Sequence, residues 1–146
     1  MKLLMWHCST LSSKDIRKSS RPRGIGDLTG DPTTVTFSDV LVAFVCVEQG
    51  DTEGTVERAC GEILRQSEQI GRRDLVVVPF AHLSNRLMTD SQRAQDIIAA
   101  LAARLEGAGL DVTTNSFGYH KQFELHYKAM GYPGSVAFRD VNGDGE

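Results

Sequence analysis

Eight consecutive residues, Val40-Leu-Val-Ala-Phe-Val-Cys-Val47, carry no polar side chain. A run that short, rich in β-branched residues and apolar at every position, reads as a strand buried on both faces. A second such run, Leu75–Phe80, follows after one amphipathic segment. In that segment Val56, Ala59, Cys60, Ile63, Leu64, Ser67 and Ile70 recur at three- and four-residue spacing, and Gly71 is a helix-stop signal. Strand, helix and strand in this order predict an α/β domain. A second helix follows, with Asp90 or Ser91 as its cap. Its apolar stripe is Ala94, Ile97, Ile98, Leu101, Leu105 and Ala108, and Gly107 or Gly109 ends it. Shorter strands are expected at residues 2–7, 110–113, 122–127 and, as an edge, 135–138. Residues 12–34 are dominated by Ser, Gly, Pro, Asp, Thr and basic side chains. They predict a long loop with a short hairpin near Thr33–Phe37. The order βββαβαβββ gives one α/β domain over residues 1–139, a single mixed sheet with two main helices and no repeats.

Residues 140–146, Asp-Val-Asn-Gly-Asp-Gly-Glu, predict an acidic flexible tail. They match the first half of a calcium loop but lack the bidentate Glu at loop position twelve. No His/Cys spacing suits zinc, so neither a metal nor a cofactor is expected.

The 146 residues are 40% hydrophobic and 24% charged, which suits one soluble domain with a core of its own. No apolar run approaches the ~18 residues of a membrane span. The opening Met1–Cys8 is too short for a signal-peptide core, and His7 interrupts it. Cys8, Cys46 and Cys60 form no C-x-x-C pair, which fits buried thiols in a reducing, cytoplasmic setting. A net charge of −3 excludes indiscriminate nucleic-acid binding and leaves room for a local contact. Lys14, Arg17, Lys18, Arg21 and Arg23, with Asp15 among them, are either such an RNA contact or a solvated loop.

Two segments carry candidate chemistry. Val76-Val-Val-Pro-Phe-Ala-His82-Leu-Ser84 and Ser116-Phe-Gly-Tyr-His-Lys121 are stretches that end abruptly in polar, ring-bearing or cationic residues. In an α/β protein that is how a strand delivers a functional group to the mouth of a cleft. Each residue also has a plainer reading. Lys121 fits a solvated loop, His82 and His7 fit hydrogen-bonded buried histidines, and Phe117 and Tyr119 fit turn or core aromatics. Ser84 lacks a Gly-x-Ser-x-Gly context and reads as a loop or capping hydroxyl. Cys8 reads as a small buried residue.

Pro79-Phe-Ala-His-Leu-Ser84 and Phe117-Gly-Tyr-His-Lys121, with Leu41-Val-Ala-Phe-Val-Cys-Val-Glu48 and Leu3-Leu-Met-Trp-His7 upstream, resemble the N-terminal editing domain of archaeal-type threonyl-tRNA synthetase. The likeness runs from residue 1 to about residue 128, with all four motifs in order. It implies a fold similar to D-aminoacyl-tRNA deacylases, a homodimer, and ATP-independent hydrolysis of serine mischarged onto tRNA(Thr). The acceptor end of that tRNA would be the partner, with threonyl-tRNA synthetase as a possible second. It implies that Lys121 anchors the substrate and stabilises negative charge, and that His82 holds the amino acid or a water. His7, Val45, Ala81 and His120 would line the pocket, and Phe117 and Tyr119 would offer flat surfaces. Backbone groups and the terminal ribose hydroxyl would share the chemistry.

The chain departs from the family at His120, where an aromatic or large residue is usual. It departs again at His126–Gly134, which replaces a Cys-Lys-Gly-His-Pro segment followed by an acidic residue. The second departure weakens any transferred carboxylate role. A D-aminoacyl-tRNA deacylase, a non-catalytic tRNA- or synthetase-binding module and a small-molecule α/β enzyme are the rival readings. A free-standing factor and a part of a longer synthetase both fit.

Overall fold

The computed structural model describes residues 1–20, 25, 26, 28, 30, 32–128 and 135–142. Eight main elements follow one another: β1 (Lys2–Lys18), β2 (Thr34–Cys46), α1 (Glu53–Ile70), β3 (Asp74–Pro79), α2 (Ser91–Gly107), β4 (Asp111–Thr114), β5 (Tyr119–Tyr127) and β6 (Val136–Asp140). A short 3-10 turn, Ala81–Leu83, follows β3. The expected α/β class, mixed sheet and two helices are present. The sheet order is β4-β3-β2-β1-β5, with β6 also on β1. β2, β3 and β4 run parallel, while β1 is antiparallel to β2, β5 and β6.

Both helices end as their sequences dictate. Gly71 closes α1 at φ 68°, a left-handed stop that glycine adopts freely. Asp90 caps α2 by accepting from the Arg93 amide at 3.1 Å. The buried stripes match expectation at Val56, Ala59, Cys60, Ile63, Ala94, Ile97, Ile98, Leu101 and Leu105. They pack with Leu3, Met5, Leu41, Val45 and Val77 into one core between helices and sheet. Ala108 is the exception: it is the exposed C-cap of α2, past the last apolar turn.

The loop expected over residues 12–34 is the main correction. Residues 12–18 continue β1, and β2 begins at Thr34, so three expected strands merge into two long ones. Polar composition misleads here because the backbone of 12–14 pairs with β2 on one side and β5 on the other, and β5 carries the ladder on to Lys18. A ladder satisfies backbone groups whatever the side chains are. The first residues of the segment expected as an acidic tail are tied down. Asp140 closes β6, the Val141 amide donates to the Met1 carbonyl at 2.9 Å, and Asn142 bonds Asp51. Residues 143–146, Arg21, Arg23 and 129–134 lie outside the described residues.

The distal half of the β1–β2 hairpin folds back over the sheet. Thr114, the end of β4, is level with Val77, Ala43 and Met5 across the strands, whereas Tyr119 pairs with Lys18. In a flat sheet Met5 and Lys18 would lie on the order of 40 Å apart along β1. The chain from Thr114 to Tyr119 reaches only about 17 Å. The bend that resolves this is visible. A register shift separates Cys8 from Thr10, and Asp39 opposite it has φ 52°, left-handed for a non-glycine residue. A second core fills the fold: Cys8, Leu11, Val40, Val42, Phe44, Val76 and Val78, with Phe37, Phe80, Phe123 and Leu125 against it.

Candidate active site

The fold-back carries β5 to the end of the molecule where the parallel strands finish. That is the place where open α/β sheets bind ligands. The Asn115 amide donates to Val77 O at 2.8 Å, extending β4's ladder, and its side-chain Nδ2 reaches Ser13 Oγ on β1 at 2.9 Å. Ser116 Oγ then donates to Asp15 Oδ2 at 2.5 Å. Lys121 Nζ donates to both Asp15 and Ser116. Its side chain is only 5% exposed. The Tyr119 ring lies under the same ammonium, 5.7 Å from nitrogen to ring centre, while its hydroxyl donates to Gly26 O at 2.7 Å. An ammonium has three N–H donors. Among the described residues, Asp15 and Ser116 take two.

His82 sits on the 3-10 turn after β3, exposed, with its ring edge-to-face on Phe80 at 5.3 Å. Phe80 meets Phe44 at 5.1 Å, and Phe44 meets Phe123 at 5.7 Å. Phe123 lies two residues from Lys121 on the same face of β5. A relay of three rings therefore connects the histidine turn to the lysine strand. No hydrogen bond joins His82 and Lys121 directly.

The other candidates scatter in an instructive way. Ala81 is exposed beside His82. Val45 points into the helix-side core, and its carbonyl accepts from the Phe80 amide at 2.9 Å. Phe117 also turns to the helix side, where with Pro79, Ile98, Ala102 and Asn115 it lines a shallow groove of about 360 Å³. His120 is exposed and pairs with Arg17, so it alternates away from Lys121. Gly118 is needed where it stands: φ is 90°, and a Cβ there would lie 2.7 Å from Ile25 Cγ1.

His7 is not at this end. It is 4% exposed, with Nε2 2.8 Å from Asp39 Oδ1 at the bend, near the start of β3. Lys128 Nζ at 3.2 Å and Arg72 at 3.5 Å complete the cluster around Asp39. The His7 hydrogen bond, with Lys128 and Arg72 beside it, holds the Asp39 carboxyl below its ordinary range despite partial burial. Burial pushes the Cys8 thiol up to about 11, which removes it as a nucleophile near neutrality. All three cysteines are free and buried. No group of three or more acidic, His or Cys residues suits a metal among the described residues. Among the described residues, no helix is long and apolar enough to cross a membrane.

Asp15, Asn115 and Ser116 were not singled out as site residues. Their signal was present: Leu11, Ser13 and Asp15 share one face of any strand drawn through them.

With the geometry in hand, a family model described as the archaea-specific editing domain of threonyl-tRNA synthetase matches residues 1–141. The chain belongs to this family. It is 33% identical over 150 residues to a threonine–tRNA ligase of Staphylothermus marinus, covering 100% of this chain and 24% of that protein. It is 35% identical over 108 residues to one from Thermofilum pendens, covering 73% and 17%. The Methanosphaera stadtmanae ligase gives 31% over 149 residues, covering 100% and 23%. The chain therefore spans under a quarter of the length of these relatives. A solved structure named c-Myc DNA Unwinding Element Binding Protein superposes with a TM-score of 0.66 at 12% identity, covering 96% of this chain and 98% of that one. The two share a fold. Membership of this family implies aminoacyl-tRNA editing.

Proposed function

We propose that this domain hydrolyses the ester of L-serine mischarged onto tRNA(Thr). The observation that carries the reading is Lys121. Its buried ammonium is held by Asp15 and Ser116 at the C-terminal end of the parallel strands, with a third N–H left over among the described residues.

Serine is threonine without one methyl group. A binding pocket discriminates a missing methyl by only about 1–3 kcal/mol, so a synthetase that activates threonine admits some serine. A second, smaller site corrects the error. The bond to be cut is an activated ester, so positioning and charge stabilisation suffice. Water adds to the carbonyl carbon, and the developing oxyanion takes the Lys121 N–H. The carbon–oxygen bond to the ribose then breaks, and the departing ribose oxygen receives the proton shed by water. The neighbouring ribose hydroxyl and backbone amides help to place the water. His82 holds the amino acid or that water from the turn after β3. Tyr119 flanks the terminal nucleoside, and Ala81 and the Val45 backbone complete the surround, while Phe117, on the helix side, and His120, turned away from Lys121, stand outside it. Arg17 and Lys18 are exposed at the end of β1, beside Tyr119, and suit the acceptor-end backbone.

A second copy of the chain is the protein partner in this reading. Val136 and Phe138, 42% and 50% exposed, make an apolar rim on edge strand β6. Sedimentation equilibrium showing only monomer at micromolar concentration would remove that part.

The deciding experiment is a deacylation assay on L-seryl-, L-threonyl- and D-aminoacyl-tRNA. Rapid release of serine alone supports the reading. Release of D-amino acids alone transfers the site to the deacylase reading, and tRNA binding with no release leaves a binding module.

A further inference from the structure

The turn that carries His82 is a single 3-10 turn, too short to hold its own shape. Its fixings lie outside it, on the end of β2 and the residues after it. Three are backbone bonds: Phe80 N to Val45 O at 2.9 Å, Gln49 N to Arg86 O at 2.9 Å, and Met88 N to Val47 O at 3.0 Å. The fourth is made by side chains. Ser84 Oγ donates to Glu48 Oε2 and accepts from the Arg86 amide at 3.0 Å. It therefore clips the near end of the turn, two residues from His82.

Glu48 is an unusual anchor. It is 3% exposed, yet it is charged and compensated. The Met1 ammonium lies 2.8 Å from Oε1, and Lys2 Nζ lies 3.1 Å from Oε2. Asp51, also buried, takes the same Met1 ammonium at 2.8 Å and accepts from the Glu48 amide at 2.8 Å. A buried carboxylate this well satisfied cannot swing away without leaving an uncompensated charge. Burial alone would raise the Glu48 pKa, but hydrogen bonds from the Met1 ammonium, Ser84 and Lys2 outweigh it and hold the carboxyl at about 2. The anchor stays ionised across the working pH range.

We propose that Glu48, acting through the Ser84 hydroxyl, is a positioning residue that fixes the His82 turn for ester hydrolysis. The proposal rests on the editing reading above and adds to it a buried charge cluster that touches no reacting atom. Misplacing a positioned group by about 1 Å can cost up to about a hundredfold in rate, so a clip on this turn is read out in kcat.

The test uses the whole chain with Ser84→Ala, which leaves Glu48 paired with both ammonium groups, and Ser84→Thr, which keeps a hydroxyl. Tm, amide exchange of residues 81–86, and kcat and KM on seryl-tRNA(Thr) are measured together. The expected result for Ser84→Ala is a kcat about tenfold lower with KM within about twofold. Exchange over 81–86 is faster, that of β2 and β3 is unchanged, and Ser84→Thr recovers kcat. An unchanged kcat, or unchanged exchange over 81–86, overturns the proposal. If the wild type releases no serine, the editing reading falls by itself, and the exchange contrast still decides whether the clip holds the turn.

Discussion

The two ends of the parallel strands β2, β3 and β4 each hold a cation–carboxylate cluster fed by the same strand, β1. At their starting end, His7 meets Asp39 with Arg72 and Lys128 around it. At their finishing end, Asp15 meets Lys121 with Ser116 between them. The resemblance gave His7 and Lys121 to one pocket, and the structure separates them. The first cluster locks a bend: it surrounds the one non-glycine residue with left-handed backbone among the described residues, Asp39. The second lies where the strands deliver their ends, beside a short turn and two aromatic rings. Similar residue types therefore serve shape at one end and, in the proposed reading, chemistry at the other. What distinguishes them is position relative to the strand termini.

Several substitutions sharpen this contrast. Lys121→Met removes the oxyanion's donor and is expected to lower kcat about 100- to 1000-fold on seryl-tRNA(Thr) in single-turnover assays, with tRNA binding kept. Unchanged turnover would remove the lysine from the mechanism.

Acid provides the next largest effect. The folded pKa of Glu48 lies below its ordinary value of 4.5, at about 2. Its contribution is therefore fully present above 4.5 and is lost as pH falls towards 2. That loss is on the order of 3 kcal/mol. Asp39, also lowered, acts with the same sign. Urea unfolding at pH 5, 4, 3 and 2 should show a progressive fall, and a flat profile contradicts the buried ion cluster.

His7→Ala tests the bend. It removes a buried ring and its hydrogen bond to the Asp39 carboxylate and is expected to cost about 1–3 kcal/mol of stability, while kcat of the folded fraction stays within about threefold. A kcat loss as deep as that of Lys121→Met, with Tm intact, would return His7 to the pocket. His120→Ala is expected to be the mildest. Its side chain is exposed and faces away from Lys121, so a change of stability within about 0.5 kcal/mol is expected.

The helices and the three parallel strands were legible because apolar periodicity and capping residues coincide there. Gly71 and Asp90 terminate the helices where the sequence says they should. Residues 12–18 were illegible because their order comes from partners distant in sequence. Ser12 faces Thr36 and Glu124, and Asp15 faces Lys121. Composition reports solvent preference, and long-range pairing overrides it. With that strand missed, Asp15 read as one more loop charge. Lys121 and His82 were singled out because their motifs resemble those of the editing domain and stand near strand ends. Glu48 was quoted within a motif, but nothing local reveals that an N-terminal ammonium neutralises it.

The most direct test is to add a hydrolysis-resistant seryl-adenosine, with the ester oxygen replaced by NH, to isotope-labelled protein and map the NMR shifts. The expected perturbations cluster at residues 79–84 and 115–121 and spare His7, Asp39, Arg72 and Lys128. Perturbations centred on His7 and Asp39, with Lys121 and His82 unmoved, would place the site at the wrong end of the sheet and contradict the account.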